Sequence, residues 1–283
     1  MPDLNPIAQK TRALPGRAPD GAGMLPTEDR SVKRTDFPEE GLAALAALRE
    51  HFWFVHRNDV ITAGLRRVLP KPATWKVIDL GTGAGAVAHH LLRRGHPVVA
   101  SDLFASAVRS LPDDLKSTFF QFDLLRDEVP ASHAKRYDVA ILGDVIEHLE
   151  HPLEALRRAT EFVRPGGVVL ITVPASMLLW TDYDVTSGHK RRYTSRGLRV
   201  EMVLGGLAPI CVEHFMFSPG ALLLVQRRLL RATAPPKTQC DEDLRVPPLI
   251  NAMLRTFLRL ESAARALCPL PWGSSLLGIG RVL

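Results

Sequence analysis

Two rhythms of apolar and polar positions run along the chain. Residues 39–68 carry apolar side chains at helical spacing and include the dense cluster His51-Phe52-Trp53-Phe54. Short apolar runs then alternate with helical stretches. Trp75–Leu80, Pro97–Asp102, Ser117–Asp123, Tyr137–Gly143 and Gly167–Val173 read as strands. Segments 85–94, 104–111 and 152–162 read as helices or turns, and Arg164-Pro165-Gly166-Gly167 as a breaker into the fifth strand. Alternation this regular predicts an α/β fold, a parallel sheet with helices on both faces. Further on, Thr194–Gly205 reads as a helix and Pro209–Phe217 as a strand. Two amphipathic segments, 219–232 and 247–268, flank a loop containing Ala234-Pro235-Pro236-Lys237, and Ser275–Val282 reads as a closing strand.

Composition divides the chain. Residues 1–36 hold no aromatic side chain and are scattered with Pro and Gly, so they are expected to form a disordered tail. Residues 37–283 are expected to form the folded domain. At 283 residues and 46% apolar content, the chain can bury a sizeable core. The net charge of +6 is too modest to require a polyanionic partner. No apolar run reaches the roughly 18 residues of a membrane span, and the first residues have no apolar core of a secretory leader. Cys211, Cys240 and Cys268 lie far apart and form no C-x-x-C pair. That argues against a disulfide framework or a cysteine zinc site, and for the cytoplasm.

The chemistry starts at Asp79-Leu80-Gly81-Thr82-Gly83-Ala84-Gly85-Ala86, where a strand hands over to a helix. Glycines permit positive φ and close backbone approach, and the helix start offers free N–H groups. Gly81, Gly83 and Ala86 also satisfy a dinucleotide fingerprint, and Asp102, about twenty residues on, could accept ribose hydroxyls in either case. Three features favour an aminoacyl-nucleoside over a diphosphate. Asp79 precedes the first glycine by two residues, where a diphosphate would be repelled and an ammonium tolerated. Asp123 ends the third predicted strand, placed to accept an adenine amino group. Gly143-Asp144-Val145-Ile146-Glu147-His148 is read as opening a helix after the fourth strand.

Taken together, VIDLGTGAG, VVASD, FQFDLL, YDVAILGDVIEHL and RPGG resemble the class I S-adenosylmethionine-dependent methyltransferases. The likeness is closest to a bacterial branch with an HFWF-x-x-R segment and a W-x-x-x-D…GH-x-R-R-Y-T signature. Here that signature is Trp180, Asp184 and Gly188-His189-Lys190-Arg191-Arg192-Tyr193-Thr194. The resemblance covers 51–283. It implies a Rossmann-like seven-stranded, mostly parallel sheet whose last strand is antiparallel, with 218–273 a helical insertion between strands six and seven. It also implies S-adenosylmethionine as cofactor. Gly81, Thr82 (through its backbone), Gly83 and Gly85 would approach it, near Asp79. Asp102 with Leu103 would hold the ribose, and Asp123 with Leu124 would frame the adenine. Arg57, on a helix folded over the pocket, would pair with the methionyl carboxylate; the plain alternative for Arg57 is a solvated helix charge.

On the acceptor side, Asp144, Glu147 and His148 stand at i, i+3 and i+4, one face of the expected helix. His189 lies in the loop after strand five, opening on the same sheet edge. Three roles remain open for this group. Asp144, Glu147, His148 and His189 would together bind Mg²⁺ or Mn²⁺, similar to E-x-x-E-H plus His in small-RNA 2′-O-methyltransferases and, in part, to the ubiquinone-pathway O-methyltransferases. Asp144 in place of the first Glu weakens that analogy. Alternatively, His148 or His189 is a general base, or Glu147 only orients the segment. Trp180, Tyr183 and Tyr193 either cover a substrate or fix the loop, and Lys190, Arg191 and Arg192 form a solvated turn or an anion contact.

The expected function is O-methylation of a small-molecule hydroxyl on a sugar-like, lipid-linked or secondary-metabolite acceptor. A metal-dependent RNA 2′-O-methyltransferase and a non-catalytic cofactor-binding scaffold are the alternatives. No nucleic-acid partner is expected, since aromatic and basic residues do not interleave into a platform. For 219–268 three readings stand: a lid, peripheral contact with the inner membrane, or a stripe packed on the sheet or on a homodimer partner.

Overall fold

In the computed structural model the described residues are 39, 41–69, 74–222, 246–267 and 270–283, with the side chains of 264–267 excepted. The chain falls into two units, Met1–Arg34 and Thr35–Leu283, and the description concerns the second. The expected tail 1–36, residues 223–245 (most of the amphipathic segment 219–232 and the loop expected after it), Cys240 and Cys268 lie outside the described residues.

Residues 39–68 break into α1 (Gly41–Ala47) and α2 (Phe52–Val68). Between them His51 caps α2, its side chain accepting from the Trp53 N–H. The strands are β1 (Val77–Leu80), β2 (Val98–Asp102), β3 (Phe119–Gln121), β4 (Tyr137–Gly143), β5 (Val163–Pro174), β6 (Leu207–Phe215) and β7 (Ser275–Val282). Their order is β3-β2-β1-β4-β5-β7-β6. β1 to β5 pair in parallel, and β7 runs antiparallel to both β5 and β6. This is the expected Rossmann-like sheet with its antiparallel last strand. Arg164–Gly167 does not precede β5 as a separate breaker. It bulges within it, since Tyr137 pairs with Val163 but Val139 already pairs with Val168.

The helices are α3 (Ala86–Leu92), α4 (Ala107–Ser110), α5 (Asp113–Lys116), α6 (Pro152–Phe162), α7 (Asp182–Thr186), α8 (Ser195–Leu204) and α9 (Pro248–Leu267). Period-two strands send alternate residues to opposite faces. Val139 and Ile141 join α2 and α3 in one core layer, and Ala140 and Leu142 join α6 and α8 in the other. The parallel strands therefore end on one common edge, where Leu80, Gly143 and Pro174 release the loops that carry the site. Among the described residues no helix is long and apolar enough to cross a membrane.

Candidate functional site

The glycine loop is shaped by its own sterics. Gly81 (φ +76°) and Gly85 (φ +77°) adopt left-handed backbone, and a Cβ on either would lie 2.7 Å from Val145 or Leu111 respectively. Around Gly83 there is more room. The nearest side chains to a Cβ placed there are Leu42 and Leu45 of α1, at 3.9 and 4.0 Å. Arg49 ties the α1–α2 connection to the loop by donating to the Ala84 carbonyl (3.0 Å) and to that of Ser110.

Asp102 ends β2 with its carboxylate pinned, accepting from Gly83 N–H (2.8 Å) on one oxygen and Phe104 N–H (3.0 Å) on the other. Each oxygen keeps a second lone-pair direction, which is what a pair of ribose hydroxyls needs. Burial pushes its pKa up, while these backbone donors oppose the shift. Asp79 is buried beneath the loop and accepts from Thr82 Oγ1 (2.8 Å). Thr82 thus turns its side chain inward and offers the loop surface only its backbone. Burial raises the Asp79 carboxyl to about 6, against the Thr82 hydrogen bond and the Arg57 charge. Leu103 and Leu124 are partly buried after β2 and β3, and Asp123 lies two residues past β3, its carboxylate accepting from Leu125 N–H (3.0 Å). The third strand is shorter than its sequence suggested, because at this sheet edge it pairs only with β2.

The segment after β4 departs from expectation. Residues 144–148 form a turn and not the first turn of a helix, which begins only at Pro152. Asp144 itself has φ +58°, so the helical face meant to hold Asp144, Glu147 and His148 does not exist. Asp144 swings instead to Arg57 and forms a partly buried ion pair with it. The Arg57 guanidinium also lies 4.9 Å from the Trp53 ring centroid and 5.1 Å from that of Phe54. Placed at i−4 and i−3 on α2, these two rings hold the cation from the same helix. That spacing was visible in the sequence, although the clamp was not foreseen.

Glu147, His148 and His189 do converge, each offering a ligand atom with all of them within 4.8 Å of one another. Asp144 is not in that group. The Glu147 side chain is fully buried, and among the described residues neither of its oxygens has a hydrogen-bond partner. Burial, helped by the Asp144 charge, pushes its pKa well above the ordinary carboxylate range. His148, edge-on to His189 with ring centroids 4.7 Å apart, is lowered to about 3, chiefly by burial and then by His189.

Sequence reasoning assigned no role to Asp184, yet the loop is organised around it. Fully buried, it accepts from His189 Nδ1 (2.8 Å), Arg192 Nε (2.7 Å) and Nη2 (2.9 Å), and Thr181 N–H (2.7 Å). Burial alone would raise its pKa, but the His189 and Arg192 hydrogen bonds prevail and hold it well below the usual range. Arg192 is therefore an internal counter-ion. Arg191 donates to the Leu149 carbonyl (3.1 Å) and Lys190 to Glu150 (2.8 Å), so these two residues of the basic turn contact the segment after β4. Tyr193 is buried in the core layer under α8, which fixes the loop to the sheet.

A family model described as a methyltransferase domain matches residues 53–212. The ubiquinone biosynthesis O-methyltransferase of Escherichia coli O9:H4 (strain HS) is 28% identical over 126 residues, 43% of this chain and 52% of the relative. The chain thus spans about half the length of the curated relatives it matches. Among solved structures, a SAM-dependent methyltransferase from Thermotoga maritima shares the fold with a TM-score of 0.54 and 11% identity, over 87% of this chain and 98% of that one. A phosphoethanolamine N-methyltransferase 2 from Haemonchus contortus, in complex with S-adenosyl-L-methionine, does so with a TM-score of 0.51 and 17% identity, over 87% and 57%.

Proposed function

The chain belongs to the class I S-adenosylmethionine-dependent methyltransferases, and from that premise we propose that it methylates a hydroxyl group of a small-molecule acceptor, with His189 as the proton acceptor. The observation that carries this reading is the convergence of Glu147, His148 and His189 on the carboxyl edge of the sheet, with the Glu147 carboxyl buried and without a hydrogen-bond partner among the described residues. A hydroxyl attacking a methyl group must lose its proton, so a hydroxyl acceptor calls for a base where an aromatic cage alone would not suffice. The ubiquinone biosynthesis O-methyltransferases among the relatives fit the same chemistry.

The glycine loop and the two aspartates fit the cofactor. Gly83 offers an approach that a side chain would narrow, Asp102 keeps acceptor directions free beside the loop, and Asp79 supplies a buried carboxyl suited to an ammonium. Asp123 and Leu124, just past β3, would frame the adenine. Arg57 would meet the methionyl carboxylate, which would then compete with Asp144 for the same guanidinium. When bound, S-adenosylmethionine supplies an electrophilic methyl group on a sulfonium.

The remaining work falls to the acceptor side. Asp184 receives the Nδ1 proton of His189, which fixes the tautomer and leaves Nε2 as the nitrogen able to take the hydroxyl proton. The buried carboxylate also stabilises the imidazolium that forms, and Arg192 keeps Asp184 ionised. His148, neutral at physiological pH, lines the pocket without competing for the proton. Glu147, neutral until a cation or donor reaches it, orients the hydroxyl.

The same cluster supports one further reading, a divalent ion held by Glu147, His148 and His189, with Asp184 as the outer partner of His189. It would ionise Glu147 and lower the hydroxyl pKa. Two measurements test the proposal. Label from radioactive S-adenosylmethionine should pass to hydroxylated acceptors and not to their amine counterparts; transfer to amines alone overturns it. H189Q should lose roughly 10²–10⁴-fold in turnover with S-adenosylhomocysteine affinity unchanged, and full turnover would refute the base assignment. Loss of activity with chelator, restored by Mg²⁺ or Mn²⁺, would establish the ion.

A further inference from the structure

Arg57 and Asp144 come from distant parts of the chain and meet beside the glycine loop. Each is placed there by its neighbour in sequence. Asn58 donates to the Ala86 carbonyl (2.9 Å) at the start of α3. Val145 packs on the loop itself, 2.7 Å from where a Cβ on Gly81 would stand. The Arg57 charge also reaches the Asp79 carboxyl beneath the same loop. The pair therefore lies where the loop meets the carboxyl edge of the sheet, at the end of the cofactor site that the methionyl group would fill.

The two partners are held unequally. The Arg57 side chain is only 6% exposed, and the Trp53 and Phe54 rings clasp its guanidinium, which cannot turn away without leaving both rings. The Asp144 side chain is 17% exposed. Its backbone is anchored, since its N–H donates to the Thr172 carbonyl (3.0 Å). The carboxylate, however, projects from left-handed backbone (φ +58°), a conformation that Asp and Asn tolerate better than other side chains. Asp144 accepts from Nη1 of Arg57, while Nε stays buried with no hydrogen-bond partner among the described residues. The guanidinium is thus incompletely used, and a carboxylate that gripped it at two nitrogens would hold it better.

We propose that Asp144 is a resident stand-in for the cofactor's carboxylate, neutralising Arg57 before the cofactor binds and displaced from it when the methionyl carboxylate arrives. One buried guanidinium neutralises one carboxylate, and a second beside it would be left uncompensated. The more exposed partner, able to rotate about its Cα–Cβ bond toward solvent, is the one that yields. The exchange keeps Arg57 paired in both states. It also weakens the hold on cofactor and product alike, because each must break an existing ion pair. Return of Asp144 to Arg57 then eases release of S-adenosylhomocysteine after transfer. The proposal rests on the placement of the methionyl carboxylate at Arg57, and the test separates the two.

The test is calorimetry of the full chain with two probes, S-adenosylhomocysteine and its decarboxylated analogue, which keeps the amine and lacks the carboxylate. Asp144→Asn preserves the side-chain shape and the tolerance for left-handed backbone, and removes the rival charge. It should bind S-adenosylhomocysteine at least about tenfold more tightly, with no gain for the analogue. Asp144→Gly, which takes this backbone without strain, should show the same gain, so the result does not depend on the folding of one variant. Arg57→Met combined with Asp144→Asn removes both charges and strands neither, and should abolish the preference for S-adenosylhomocysteine over the analogue. If neither single variant binds S-adenosylhomocysteine more tightly, or the analogue gains equally, while the double variant still loses the preference, the proposal is overturned and Arg57 remains the carboxylate's partner. A preference that survives in the double variant overturns both, since the carboxylate then binds elsewhere.

Discussion

Replacing Asp184 by Asn is expected to destabilise the protein by roughly 3–5 kcal/mol, the usual cost of removing one partner from a buried ion pair. The change keeps the side-chain volume and deletes one charge. It leaves the Arg192 guanidinium, with a side chain only 10% exposed, facing an amide in place of a carboxylate that is not exposed at all. The amide NH₂ would also meet the donors of His189, Arg192 or Thr181, whose distances to the carboxylate are now 2.7–3.0 Å. An exposed pair would be worth at most about 1 kcal/mol, so the magnitude separates the two cases. For a unit of this size the fall in melting temperature is roughly 6–20 °C. The pH dependence has a defined sign. Hydrogen bonds from His189 and Arg192 depress the folded-state pKa of Asp184 below its ordinary 3.8. Its contribution is therefore complete above the unfolded-state value and is lost as pH falls through the folded-state one. Thermal melts by circular dichroism across a pH series should show a constant gap between wild type and D184N from neutral pH to about 5, narrowing on further acidification. A gap under about 1 kcal/mol, or one that widens in acid, would refute the buried-pair account.

Two other perturbations probe the rest of the site. Gly81→Ala should lower S-adenosylhomocysteine affinity by at least about tenfold in calorimetry, because left-handed backbone costs a side chain about 1–2 kcal/mol and the new Cβ sits 2.7 Å from Val145; unchanged affinity would show that the loop can relax without losing its shape. Glu147→Gln should alter stability with the opposite pH sign to Asp184. The raised pKa of Glu147 means that the folded wild type loses stability as pH climbs from 4.5 through the folded-state value. In chelator-treated buffer the Gln variant should accordingly gain on the wild type as pH rises, and parallel curves would show that the carboxyl is not held protonated.

The fold was legible because its signals are local and repeated. Each strand from Trp75 to Val173 announces itself by apolar run and bounding breaker, and the sheet's two core layers follow from period two in Tyr137–Gly143 and its neighbours. The cofactor side was legible for a related reason: backbone geometry at Gly81 and Gly85 demands glycine, and that demand is written in the sequence itself. The acceptor side was only half legible. Glu147, His148 and His189 were named and do meet, but the helix expected to align Asp144 with them is a turn. Spacing of i, i+3 and i+4 says what a helix would align, not whether the helix starts there. Pro152 at the first helical position marks the true start, eight residues after Asp144.

The sequence by itself determined the class of fold, the cofactor loop and the identity of most of the polar groups near the reacting centre, since these depend on residue type and on neighbours close in the chain. The tertiary structure alone decided the pairings. Arg57 meets Asp144 across 87 residues, Asp184 takes both His189 and Arg192, and Glu261 of α9 accepts from Phe217 and Ser218 just past β6. Each of these is a contest among several possible partners for one buried charge or one polar group. Burial makes an unpaired loser costly, and which partner wins depends on the distances the fold sets.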